Sequence, residues 1–366
     1  MDKTEFDITI DARMINHSGI GTYLKNMIPI LHSNYNLVVL GRKKIFERFL
    51  WVNKLEIIEA DYPIYSLSEQ VYLPKFIPKT KIFLSPHYNV PIKKVDAEKR
   101  VVIIHDVNHL VFNSQLSLIK KLYARFMMNS AVDKSDRIIT ISQFSRKEIL
   151  NYIDTKGKNI DIIYPGIGPQ TTLQRNEFII KDVLLKYNLP QKYFLYVGSL
   201  KHHKNLTIAL KAFEELLPFY PKEKLVLLGI NQEEFNKTHE YERYKDWIII
   251  PGYIEDEELA TIYKNARCLV FPSYYEGFGL PPLEAMSYGC PVISSNAASL
   301  PEVCGNAALL FDPFDKVELT KKMRLIIENK KLSVELINKG YNNIVRFSRN
   351  NFAERLKQVF DSIIFS

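Results

Sequence analysis

The sequence predicts an α/β protein built as two Rossmann-like domains facing a cleft. Three observations carry that expectation. Short β-branched runs recur along the chain and alternate with helical patterns, as parallel sheets covered on both faces require. The alternation breaks at Tyr164-Pro165-Gly166-Ile167-Gly168-Pro169, where Pro and Gly mark a turn or linker, and restarts at Tyr193. A length of 366 residues suits two domains at roughly 100–200 residues each.

In the first half the strand candidates are Ile8–Ile10, Leu37–Leu40, Ile82–Leu84, Val101–Ile104, Ile138–Ile141 and Ile160–Ile163. Helical spacing lies between several of them, at Gly21 to Leu31 and Gln143 to Tyr152. The second half repeats the scheme at Tyr193–Gly198, Leu225–Gly229, Ile248–Ile250, Cys268–Phe271, Pro291–Ser294 and Ala308–Phe311, and Asn351 to Ile364 reads as a closing helix. In such sheets ligands bind beyond the carboxyl ends of the strands, so glycines and charged residues just after strands are where chemistry is expected.

Composition narrows the function classes. Hydrophobic residues make up 46% and charged residues 25%, which excludes disordered and low-complexity chains. No apolar run reaches the ~18 residues of a membrane span, and Met1-Asp2-Lys3-Thr4-Glu5 is not the start of a secretory signal. Cys268, Cys290 and Cys304 form no C-x-x-C pair and no complete disulfide framework, which points to a reducing, cytoplasmic compartment without structural zinc.

The net charge is +8, and residues 1–170 hold most of it, with 24 Lys/Arg against 17 Asp/Glu. No nucleic-acid motif accompanies the charge, so nucleic acid is not an expected partner. Arg42 to Trp51 mixes basic and aromatic residues. Leu116 to Ser130 reads as a helix with Leu116, Ile119, Tyr123, Phe126 and Ser130 on one stripe and Lys120, Lys121 and Arg125 interleaved. Two readings of this helix stand: it lies on an anionic bilayer, or, the favoured one, its stripe faces the core and its basic face is solvated.

The most informative stretch runs from Phe271 through Glu276-Gly277-Phe278-Gly279-Leu280-Pro281-Pro282-Leu283-Glu284. A strand ends, a glycine-bearing loop follows, and Pro281 and Pro282 open a helix, where a missing N–H costs nothing. A helix start with free N–H groups suits an anion, and Gly277 and Gly279 let a phosphate approach the backbone. Glu276 is expected on the loop and Glu284 in the first helical turn, where it would cap an N–H or complement the helix dipole. Carboxylates also accept paired hydrogen bonds from vicinal hydroxyls. A phosphate site flanked by two such groups describes a sugar-nucleotide pocket.

This stretch resembles the E-x7-E signature of retaining glycosyltransferases of family 4, which have the GT-B fold. Ser287 to Ile293, Leu300 to Val303 and Gly305 to Pro313 extend the likeness. The resemblance implies an acceptor-side domain at 1–170, a nucleotide-sugar domain at 171–350 and a closing helix at 351–366 that packs back on the first. It implies that Glu276 binds hydroxyls of the donor sugar, that the backbone at Gly277, Phe278, Gly279 and Leu280 meets the diphosphate, and that Glu284 holds the ribose. Lys204, in Gly198 to Leu206, resembles the lysine that contacts the diphosphate; Ser199 stands where the family often has arginine. Gly19 and Gly21 resemble the first-domain glycine loop. His105, at a strand end, resembles a sugar-contacting histidine, with Asp106 beside it to orient the acceptor. His87 is a further acceptor-side candidate.

The implied reaction is transfer of a hexose from a nucleotide sugar to a hydroxyl with retention, without a metal or other cofactor. The Gly-Ile-Gly-Thr-Tyr start and His105-Asp106 most resemble bacterial mannosyltransferases of O-antigen or related surface-polysaccharide assembly. These imply GDP-mannose as donor and a glycan or polyprenyl-diphosphate-linked acceptor, with a place at the inner face of the plasma membrane. A UDP-sugar donor stays open. A sugar-nucleotide epimerase and a non-catalytic polysaccharide- or membrane-binding protein are the competing classes. The first needs additional acid/base carboxylates, and the second leaves Glu276, Glu284 and Lys204 unexplained.

Overall fold

The computed structural model describes residues 6–112, 117–167 and 177–365. Leu116 of the expected basic helix and Gly168-Pro169 of the expected linker lie outside them. The chain divides into two compact units, residues 1–166 with 349–366, and residues 167–348.

The first unit is a seven-stranded sheet: β1 (Phe6–Asp11), β2 (Leu37–Gly41), β3 (Glu56–Glu59), β4 (Thr80–Ser85), β5 (Ala97–Ile103), β6 (Arg137–Thr140) and β7 (Ile160–Ile162). All neighbours pair in parallel, in the order β3-β2-β1-β4-β5-β6-β7. Its helices are α1 (Ile20–His32), α2 (Lys43–Phe46), α3 (Leu67–Phe76), α4 (Asn108–Val111), α5 (Leu118–Lys134) and α6 (Gln143–Tyr152). The inner strands are almost wholly apolar because helices cover both faces. Val102, Ile104 and Ile138 pack with Met127, Met128 and Ala131 of α5, and Phe83 and Leu40 pack with Leu73 of α3. The edge strand β3, Glu-Ile-Ile-Glu, is the one strand the sequence pattern missed. An exposed edge needs no continuous apolar run.

The second unit is a six-stranded parallel sheet: β8 (Phe194–Val197), β9 (Leu225–Leu228), β10 (Ile248–Ile249), β11 (Cys268–Phe271), β12 (Val292–Ser295) and β13 (Leu309–Phe311), in the order β10-β9-β8-β11-β12-β13. Around it lie α7 (Glu177–Lys186), α8 (Leu206–Leu216), α9 (Gln232–Asn236), α10 (His239–Tyr244), α11 (Asp256–Asn265), α12 (Leu280–Ser287), α13 (Leu300–Cys304), α14 (Lys316–Glu328) and α15 (Lys330–Ile344). Phe194, Phe213, Val270, Ile293, Phe311 and Met323 anchor one core. The three cysteines are free and buried in this unit.

The last helix, α16 (Arg349–Ile364), belongs to the first unit. Phe352, Leu356, Val359 and Phe360 are buried. The Tyr35 hydroxyl donates to Asp361 at 2.8 Å, and Arg355 pairs with Asp161 at 3.0 Å. Gly166 is required beneath this helix, since a Cβ there would lie 2.8 Å from Phe352.

In each sheet the strand order reverses beside the first strand, between β1 and β4 and between β8 and β11. The crevice at such a point, beyond the carboxyl ends of the strands, is where open α/β sheets bind ligands.

Candidate active site

At the β8/β11 switch point two loops meet. The loop after β8 makes a short 3₁₀ turn at His202–Lys204 and enters α8 through Asn205, which is left-handed at φ 55°. The loop after β11 runs from Pro272 to Gly279. Several bonds stitch the two together. Asn205 Nδ2 donates to the carbonyls of Pro272 and Pro313 at 3.2 and 2.7 Å. The Tyr274 N–H donates to the His203 carbonyl at 3.0 Å. His202, which is exposed, bonds the Tyr274 hydroxyl through Nδ1. Lys201 is exposed.

The stitching brings together two predicted residues that are 72 positions apart: Lys204 Nζ lies 2.6 Å from Glu276 Oε1. Both are largely but not fully buried, and the Lys204 ammonium also stands 5.9 Å from the centre of the Phe271 ring. From below, Ser299 Oγ donates to the carbonyls of Glu276 and Phe278 at 2.9 and 2.6 Å. Phe278 buries its ring edge-on to Phe347. Thus Phe278 anchors the loop by its side chain. Gly279 sits at φ 103° as the N-cap of α12, and no side chain caps that helix. At that φ any side chain is strained, and a Cβ would also press on a terminal methyl of Leu300 at 2.6 Å, so the position favours glycine.

Leu280, Pro281 and Pro282 form the first turn of α12, and Glu284 follows in the second. The expected first-turn position is therefore corrected: no acidic residue lies in that turn, and the dipole explanation for Glu284 falls with it. Its Oε2 instead accepts from the Tyr263 hydroxyl at 2.8 Å. Burial raises the Glu284 carboxyl above its usual range, against the Tyr263 hydrogen bond and with help from Asp256. Tyr263 on α11 was not a sequence candidate. Its ring stacks on Tyr288 at 5.7 Å, and burial first, then Glu284, pushes its hydroxyl pKa well up.

Glu284 and Tyr263 line a cavity of about 670 Å³ within the second unit, with Val197, Gly229, Ile230 and Tyr253 among its other walls. Gly229, at φ 77°, lets β9 end against β8: a Cβ there would meet the Gly198 carbonyl oxygen at 2.8 Å. The arrangement offers a cation and an uncapped helix start for a diphosphate, and two carboxylates for hydroxyl groups.

The first unit places the other candidates around its own switch point. Gly19 is the N-cap of α1 at φ 75°, and Gly21 is required by space, since a Cβ there would lie 2.3 Å from the Ile15 carbonyl oxygen. His105 follows β5; its Nε2 lies 3.0 Å from the Pro86 carbonyl and its ring meets Tyr23 edge-on. Burial lowers its pKa, although Asp106 opposes the shift. Asp106 Oδ1 accepts the N–H of Asn108, the first residue of α4, at 2.9 Å. His87, after β4, accepts from the Asn89 N–H through Nδ1 at 3.2 Å, and burial, followed by the nearby histidines, lowers its pKa to about 3.

Beside these lies a charge network the sequence did not disclose. Arg13 grips Asp11 with two bonds of 2.8 and 2.7 Å and reaches Glu69 at 3.2 Å. Glu69 is 1% exposed and also accepts from Asn89 and Gln70. Burial raises the Glu69 pKa, and Arg13 works against it. The one available signal was Ser66-x-x-Glu69, a capping box. Ser66 does accept the Glu69 N–H at 3.1 Å, but the Glu69 carboxylate turns inward to Arg13.

Comparison with known proteins bears on the family and the fold. A family model described as glycosyl transferases group 1 matches residues 181–343. The chain is 34% identical over 251 residues to O-antigen chain mannosyltransferase B of Escherichia coli, covering 65% of this chain and 62% of that protein. It is 27% identical over 279 residues to the serotype-specific mannosyltransferase WbdA of Escherichia coli, and there it spans 34% of the relative's length. O-antigen chain mannosyltransferase RfbU of Salmonella typhimurium is 25% identical over 75% of the chain, covering 71% of that protein. Among solved structures, Anabaena Alr3699/HepE in complex with UDP-glucose superposes with a TM-score of 0.77 at 14% identity, covering 98% of this chain and all of that one. Sucrose-phosphate synthase from Thermosynechococcus elongatus gives 0.77 at 16% identity, covering 98% of each chain. The fold is therefore the expected GT-B architecture of two Rossmann-like units.

Proposed function

We propose that this chain, which carries a glycosyl transferases group 1 domain over residues 181–343, transfers a hexose from a nucleotide sugar to a hydroxyl in surface-polysaccharide synthesis. The observation that carries the reading is the Lys204–Glu276 pair at the β8/β11 switch point, in the same unit as the cavity that Glu284 enters. With donor bound, Lys204 turns from Glu276 to the diphosphate, and Glu276 turns to the hydroxyls of the sugar. Each side chain keeps some contact with water, and the diphosphate and the sugar hydroxyls replace the partner each gives up. The start of α12 faces the same diphosphate, and the backbone of Gly277, Gly279 and Leu280 lets it approach. Glu284 takes the ribose hydroxyls, oriented by Tyr263. The cavity beyond it receives the base.

Bond cleavage leaves negative charge on the departing diphosphate, which Lys204 and the helix start stabilise without a metal. The acceptor hydroxyl attacks from the face the phosphate leaves, and the phosphate takes its proton, so configuration is retained. On the first unit, Gly19 and Gly21 form the donor-side glycine loop, His105 contacts the sugar and Asp106 orients the acceptor. The named mannosyltransferases support mannose as the sugar; the reading takes GDP-mannose as donor and a glycan or polyprenyl-diphosphate-linked glycan as acceptor. The second reading is a UDP-sugar donor, which the UDP-glucose complex of the Anabaena protein favours.

Calorimetric titration with GDP-mannose, GDP, UDP-glucose, UDP-N-acetylglucosamine and UDP separates these. Binding confined to the guanosine compounds is expected. Binding confined to the uridine compounds overturns the donor and keeps the site. No binding to any of them overturns the reading. Anomeric configuration of the product by NMR tests retention.

A further inference from the structure

A third loop joins the two at the β8/β11 switch point. Asn205 Nδ2, which reaches the Pro272 carbonyl, also reaches that of Pro313 at 2.7 Å, so the turn after β13 hangs on the same frame as Lys204 and Glu276. Asp312 Oδ1 closes this turn by accepting the Phe314 N–H at 2.9 Å, and Pro313 is buried. Phe314 follows on this post and is 76% exposed.

A lone exposed phenylalanine is ordinary. Phe314 is not alone. Its ring lies 5.7 Å from that of Tyr274, tilted by 33°, and Tyr274 stands edge-on to His202 at 5.7 Å. Tyr274 is fixed at both ends, by its N–H on the His203 carbonyl and by its hydroxyl on His202. It lies two residues before Glu276, and His202 lies two before Lys204. Three rings from three loops thus form a ledge in the same unit as the candidate donor groups.

The strand order sets where the ledge lies. β9 and β10 stand on one side of the switch point, and the loops after them line the cavity that Glu284 enters. β13 stands at the other edge of the sheet. Lys204 and Glu276, on the loops after β8 and β11, lie between the two. A donor whose base fills the cavity therefore has its sugar end toward the ledge.

Size and charge identify the occupant. A protein partner needs about 800 Å² on each side. By contrast with α5, whose expected core stripe is turned outward at Ile119, Tyr123 and Phe126, the ledge has no run of apolar neighbours: Asp312, Asp315 and Lys316 flank Phe314, all exposed. A phosphate would meet two carboxylates there, since Lys316 is already paired with Glu215 at 2.6 Å. A neutral pyranose passes both tests. One face of its ring presents C–H bonds, whose positive edge suits the negative face of an aromatic ring. Its rim presents hydroxyls that carboxylates accept. We propose that Phe314 and Tyr274 form a stacking subsite for a neutral sugar residue of a glycan acceptor. The acceptor role rests on the glycosyl-transfer reading above; the stacking itself does not.

Saturation-transfer NMR of the whole chain with α-linked mannotriose and with lactose tests it. Saturation is expected on the C–H protons of one sugar face. Phe314→Ala weakens binding about five- to tenfold, the loss of one ring contact, and Phe314→Tyr, which keeps a ring, retains it. Should Phe314→Ala fail to fold, Phe314→Leu decides in its place, being apolar without a ring. No saturation of either sugar by the parent chain, or wild-type binding by the ringless variant, overturns the proposal. Parallel titration with GDP-mannose and UDP-glucose separates the two readings. A chain that stacks sugar and binds no donor overturns glycosyl transfer and keeps the subsite. A chain that binds a donor and stacks no sugar overturns the subsite and keeps glycosyl transfer.

Discussion

The two switch points share one strand order but differ in how they treat charge. In the second unit, Lys204 and Glu276 keep some solvent contact, and each has a single charged partner among the described ion pairs. In the first, Asp11, Arg13 and Glu69 are sealed, with side chains at most 9% exposed. A partly wet pair can be exchanged for a ligand. A sealed trio holds loops in place, because separating buried partners strands a charge. The same strand order at the switch point thus yields one site ready for exchange and one rigid platform, and the difference lies in burial.

The largest effect should come from the platform. Arg13→Met leaves two buried carboxylates without their cation and should cost about 3–5 kcal/mol in urea unfolding. Glu69→Gln should cost less than that, since Arg13 still grips Asp11 with two bonds. Equal losses would show that the trio is not the sealed anchor described.

Next comes the exchangeable pair. Glu276→Ala and Lys204→Ala should each lower transfer about 10²–10³-fold, the loss typical of one transition-state partner. Their urea midpoints should stay near wild type. Full transfer activity in either variant would break the contrast.

The glycines sharpen it. Gly21→Ala drives a Cβ into a backbone carbonyl and should destabilise by about 1–3 kcal/mol. At Gly19 the space is open and strain at φ 75° is the only penalty, so Gly19→Ala should cost less. Paired thermal melts would show the order.

The most gradual effect is in pH. Burial, followed by the nearby histidines, lowers the His87 pKa from 6.5 to about 3 in the folded chain. Between those values the unfolded chain binds the extra proton, so stability present above pH 6.5 is lost as pH falls toward 3. The slope is at most about 1.4 kcal/mol per pH unit. His105 is shifted in the same direction. His87→Gln should flatten part of the curve, and an unchanged profile would mean that His87 is not held neutral.

The sequence by itself determined the alternation of strands and helices, the break near residue 166, and the loop from Phe271 to Glu284 with its glycines and two glutamates. These are short-range properties, set by side-chain periodicity, Pro and Gly geometry and spacing within a few turns. The tertiary structure decided which distant groups met. Lys204 found Glu276 across 72 residues, Arg13 found Glu69 across 56, and Tyr263 claimed the carboxylate that local reasoning had assigned to a helix dipole. It also decided which side of α5 faced the core. Both sides of that helix are apolar, so periodicity alone could not choose, and the choice fell to the methionines that fit against β5 and β6.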